Sequence, residues 1–147
     1  MATSTTPSLT RNIIFYSALY DLIVTAAFAT PWTAALVLQQ LSAVHTQLGL
    51  HGDALPVASP VMMLYINFFG TVVLMWSGLR LFQPTVLNGA VDSIGRLFFT
   101  LWMARALLNG ASSIVAVFMV LEFTWLIVQG GAVLRALRMP APRVMAC

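Results

Sequence analysis

Four stretches of the chain are almost continuously apolar: residues 13–29, 62–81, 91–108 and 114–133. Each has the length of about 17 to 25 residues that a helix needs to cross a bilayer. A membrane β-barrel would instead show short alternating segments separated by turns, and that pattern is missing. Backbone groups at membrane depth must be satisfied within their own helix, so the pattern predicts an all-α integral membrane protein. Residues 1–147 then form a single domain, a bundle of four transmembrane helices. After the first span, Ala34, Val37, Leu38, Leu41, Val44 and Leu48 recur at steps of three and four. Thr30 and Pro31 suit a helix start, and Gly49 suits a stop. Residues 31–48 are therefore expected as an amphipathic helix that extends the first span or lies on the outer membrane surface.

Polar positions interrupt this pattern in an informative way. Asp21 sits near the middle of the first span and Glu122 near the middle of the fourth, while Asp92, Arg96 and Arg105 leave only residues 97–104 of the third free of charge. Composition agrees with the segment pattern. With 60% apolar and 7% charged residues, the chain has too little polar surface to cover a water-soluble globule. Arg11 precedes the first span, Arg80 ends the second, Arg96 begins the third, and Arg135, Arg138 and Arg143 follow the fourth. Four crossings with both termini in the cytoplasm put all of these on one side, as the positive-inside bias requires. The net charge of +3 is thus a topology signal whose partner is the lipid bilayer, not nucleic acid. The expected location is a cell membrane, taken as the bacterial inner membrane. Arg11 followed by an apolar run imitates a signal peptide, but Asp21 in its centre disfavours cleavage and predicts a retained first span. The single cysteine, Cys147, indicates no disulfide.

Charge inside a membrane span is expensive enough to mark a functional site by default. At about 1.5 Å of rise per residue, Asp21 and Glu122 lie roughly 13 to 14 Å from the outer ends of their spans, Asn67 about 9 to 10 Å and Arg105 about 6 Å. Side chains lean toward the N-terminus of their helix, which brings Arg105 and Glu122 toward one another on antiparallel neighbours. Arg105–Glu122 is the expected buried ion pair. Arg96, half a turn away around the helix, is expected to pair with Asp92 at the cytoplasmic interface. Asp21 is left to join the first pair, to meet Arg96 across the bundle, or to carry a proton. On the fourth span Phe118, Glu122, Trp125 and Gln129 repeat at steps of three and four, placing an acid beside aromatic surface. In the second span Asn67, Gly70, Thr71, Leu74, Ser77 and Gly78 trace a small or polar stripe suited to close helix approach. His45, His51 and Asp53 match no metal-ligand spacing and are expected as solvated residues, so no metal is predicted and no cofactor is indicated.

These features support an expected binding site of Asp21, Asn67, Arg105, Glu122, Phe118 and Trp125. Its ligand would be a hydrophobic or amphipathic small molecule or a partner helix, without classical catalysis. Two alternatives follow from the same acids: a proton-linked transporter, which at this size requires a homo-oligomer or a larger membrane complex, and an intramembrane acid–base enzyme acting on a lipid-like substrate. Phosphate-binding loops, dinucleotide turns, nucleophile elbows and paired cysteines are absent from the sequence, which favours the non-enzymatic reading. In architecture alone, four helices with intramembrane acids resemble sterol-isomerase-like membrane bundles; no motif accompanies the likeness and no residue role follows from it.

Overall fold

Prolines and hydroxyl side chains determine where the helices begin. In the computed structural model, which describes residues 6–139, α1 spans Ser8–Thr25 and runs into a 3-10 turn at Ala26–Ala29. Thr30 then adopts an extended conformation and caps α2 (Pro31–Gln47), accepting from the Thr33 amide at 3.4 Å with Pro31 in the first turn. Ser59 caps α3 (Pro60–Phe82) through the Met62 amide at 3.2 Å, and Thr85 caps α4 (Val86–Leu108) through the Asn88 amide at 3.2 Å. A short turn leads into α5 (Ile114–Arg138). Each cap satisfies a backbone N–H that the helix itself cannot. Gly49 follows α2 at φ 56°, a left-handed conformation suited to glycine, and stops the helix where its position suggested.

Long-range contacts show the helix directions. At one end Thr10 of α1 donates to the Ala132 carbonyl of α5 at 3.4 Å, and Ile14 of α1 and Val133 of α5 both lie against Gly89 of α4. At the other end the 3-10 turn lies on α3 so closely that a Cβ on Gly70 would collide with the Phe28 backbone. Asn67 donates to the Phe28 carbonyl there at 2.9 Å. The loop after α2 joins the α4–α5 turn through Asp53 N to Gly110 O at 2.7 Å and Ser113 N to His51 O at 2.8 Å. His45, expected to be solvated, is buried beneath this loop with Nδ1 at 2.7 Å from Ser112 Oγ. The outer side of α2 is also apolar, with Trp32, Leu36 and Leu48 exposed, so the helix does not divide into one apolar and one polar face.

The interior is more polar than the surface. Among the described residues, the buried hydrophobic side chains are Ile14, Ala18, Ala34 and Val133, whereas Ser17, Ser77, Arg80, Asp92, Arg96 and Gln129 are all buried. Large apolar residues such as Phe68, Met75, Leu101, Val120 and Ile127 face outward. Water would be a poor solvent for that exterior. Three helical segments, Ser8–Ala29, Pro60–Phe82 and Ile114–Arg138, are long and apolar enough to cross a membrane. α4, also 23 residues long, is not among them because of its charged residues. Relative to the expected spans, α1 begins earlier at Ser8, α4 begins five residues earlier at Val86, and α5 continues to Arg138. Arg143 and Cys147 lie outside the described residues.

Candidate functional site: a buried ionic cluster

Helical spacing gathers charge from four helices onto one point. On α4, Gly89, Asp92 and Arg96 recur at steps of three and four and are buried together. On α3, Ser77 and Arg80 occupy successive turns of the inward face; on α1, Ser17 and Asp21 do the same. From α5 come Glu122 and, two turns further on, Gln129. The side chain of Arg80 is fully buried and that of Arg96 is 2% exposed, while Asp92, Asp21 and Glu122 are 8%, 12% and 16% exposed.

Arg96 is the hub. Its Nε donates to Asp92 Oδ2 at 2.9 Å, one Nη to Glu122 Oε2 at 2.7 Å, and the other to Asp21 Oδ2 at 2.5 Å and Ser17 Oγ at 2.9 Å. Arg80 also bonds to Asp21 Oδ2 and lies 2.7 Å from Asp92 Oδ2. Two like-charged guanidinium groups are thus held together by carboxylates that they share, and Ser17 accepts from both. Asp92 is the most heavily engaged acid, receiving the Trp76 indole N–H at 2.8 Å and the Gln129 amide at 2.9 Å besides the two arginines. The Arg80 guanidinium carbon lies 5.7 Å from the Trp76 ring centroid, within the range of a cation–π contact.

This arrangement corrects the expected ion pair and the expected membership of the site. Arg105 is exposed, and Glu122 pairs with Arg96. The reason is register: Arg96–Glu122 and Asp92–Gln129 align antiparallel α4 and α5 so that Arg105, nine residues beyond Arg96, lies opposite the start of α5. Side-chain lean does not bridge that offset. Arg80, in the last turn of α3, is fully buried against Asp21 and Asp92 and joins the cluster, a role the sequence reading did not give it. Asp92 and Arg96 pair one turn apart within that cluster. Of the four residues expected to converge, Asp21 and Glu122 do; Asn67 is engaged at the 3-10 turn and Arg105 is outside. On α5, Phe118, Glu122 and Trp125 are half-buried on the side that carries Gln129. The ring of Trp125 packs against Tyr20 at 5.8 Å between centroids, along the seam between α1 and α5. Arg80 could have been found: it continues the Gly70, Ser77 stripe by a further step of three.

No family model, curated protein or solved structure matches this chain. The chemistry must therefore be read from the cluster itself. No group of His, Cys, Asp and Glu able to hold a metal ion occurs among the described residues. Two surface pockets lie elsewhere, one of about 500 Å³ beside Arg135 and Arg138, the other of about 410 Å³ between α2 and the loop before α3. Neither of these pockets is lined by the cluster, whose most open member is Glu122. Such an arrangement can fix four helices in one register, hold or pass a proton, or present a carboxylate at its margin.

Proposed function

We propose that this chain is a four-span membrane protein whose ionic cluster, opened at the α1–α5 seam, binds an amphipathic small molecule. For α4 as the additional span, its inward positions hold Asp92 and Arg96, while Leu97, Leu101 and Trp102 are exposed and suit lipid. Its start lies at the same end of the bundle as the start of α1 and the end of α5. Arg11, Arg135 and Arg138 gather at that end, which the positive-inside bias assigns to the cytoplasm.

The observation that carries the binding reading is the position of Glu122. It is the most exposed acid of the cluster, it uses Oε2 for Arg96, and it precedes Trp125 by one turn where that ring meets Tyr20. A polar head group would find a carboxylate there and an apolar tail would find aromatic surface. The test is extraction and mass spectrometry of small molecules that co-purify with the protein in nanodiscs. The wild type is expected to retain a defined amphiphile, and Trp125→Ala to lose about tenfold of it, the equivalent of 1.4 kcal/mol. Recovery of bulk lipid alone, or equal retention by the variant, overturns the reading.

A further inference from the structure

The cluster is unbalanced in charge. Two guanidinium groups, Arg80 and Arg96, face three carboxylates, Asp21, Asp92 and Glu122, so that one negative charge is unmatched when all are ionised. Leaving a buried charge uncompensated is strongly unfavourable. A second observation concerns hydrogen bonding. Gln129 is fully buried, and its Nε2 serves Gly89 O, Asp92 Oδ2 and Ser93 Oγ, but its Oε1 has no donor. Asp21 and Glu122 meet their arginines through one oxygen each, leaving Oδ1 and Oε1 outside those contacts. The site is short of positive charge, and one of its buried acceptors has no donor. The one spare buried donor, Arg80 Nε, reaches none of these oxygens.

The groups around Glu122 come from every neighbouring helix. Arg96 and Asp92 belong to α4, Tyr20 and Asp21 to α1, and Gln129 and Trp125 to α5 itself, while Arg80 of α3 acts through the carboxylates of Asp21 and Asp92. We propose that Glu122 holds one exchangeable proton, and that a lipophilic organic cation docking beside the Tyr20–Trp125 pair displaces it. This rests on the binding reading above and names its ligand class. In the exchange the Glu122 O–H bond breaks, the proton leaves to water, and the cation takes its place, so that the cluster stays neutral throughout. The aromatic pair adds cation–π attraction for the incoming head group.

Infrared pH-difference spectroscopy in nanodiscs tests the proton. The carbonyl stretch of a protonated carboxyl group is expected at neutral pH in the wild type, absent from Glu122→Gln and restored, with a shifted frequency, in Glu122→Asp. Lack of the band at neutral pH, or its persistence in Glu122→Gln, overturns the proposal. Tetraphenylphosphonium then serves as the probe cation in weakly buffered solution. Binding should release about one proton per probe, with affinity falling about tenfold per pH unit below the titration. Probe binding without proton release, or no probe binding, overturns the cation exchange. If a neutral or anionic amphiphile co-purifies while the probe does not bind, the binding reading stands and this inference falls.

Discussion

Replacing Arg96 by leucine should be the most damaging single change in this protein. Arg96 is 2% exposed and its guanidinium group contacts Asp21, Asp92, Glu122 and Ser17. After the change Asp92 keeps Arg80, Trp76 and Gln129, and Asp21 keeps Arg80. Glu122, which carries the proton, is neutral, but Arg80 alone then faces the two carboxylates of Asp21 and Asp92. Stranding a buried charge in this way costs about 3 to 5 kcal/mol. For a chain of this size each kcal/mol moves the midpoint by about 2 to 4 °C, so the expected loss is on the order of 10 °C. The assay is the temperature at which half of the detergent-solubilised protein leaves the monodisperse peak in size-exclusion chromatography. Arg105→Leu is the control: its side chain is exposed, and its effect should stay within about 0.5 kcal/mol. Adding Asp21→Asn to Arg96→Leu should recover about 2 kcal/mol, because Arg80 and Asp92 then balance. Equal melting of Arg96→Leu and Arg105→Leu would refute the register of α4 on α5 and the hub role of Arg96 with it.

Asp92→Asn should destabilise more than Glu122→Gln, by about 1 to 3 kcal/mol in paired melts, because Asp92 meets both arginines, Trp76 and Gln129 whereas Glu122 meets Arg96 alone. Gly70→Leu should cost at least about 1 to 3 kcal/mol, since any Cβ there strikes the Phe28 backbone; a melt equal to the wild type would show that the 3-10 turn does not rest on α3. Impermeant maleimide should label Asn109→Cys and Gln83→Cys, made in a Cys147→Ser background, from opposite sides of the membrane. Labelling of both from one side would mean that α4 does not cross.

The sequence carried the outline of this fold and only part of its site. Apolar length marked α1, α3 and α5 because membrane helices differ from other helices in length and composition. Thr30 marked the real start of α2 because capping acts locally, whereas Ser59 and Thr85, which cap α3 and α4, are legible as caps only beside the structure. Asp21 and Glu122 were legible as members of the site, since an acid in mid-span has to find something. Their partners were not. Which arginine meets Glu122 depends on the longitudinal offset of α4 against α5, set by packing such as Ile14 and Val133 against Gly89, and spacing within one helix carries no information about that offset. Arg80 illustrates a different ambiguity. Near a helix end, a lone arginine fits a membrane interface as well as an interior, and the inward stripe it continues is the feature that separates the two.

The separations along the chain give the cluster an order of assembly. Asp92 and Arg96 stand four residues apart in one helix, so their bond exists as soon as α4 forms. Asp21 must wait, because Arg80 and Arg96 follow it by 59 and 75 residues. Glu122, 26 residues after Arg96, arrives last. During synthesis α1 is therefore complete long before its acid meets Arg80 or Arg96, whereas α4 emerges with Asp92 and Arg96 already paired. The first helix made is the one whose place in the bundle depends on helices still to come.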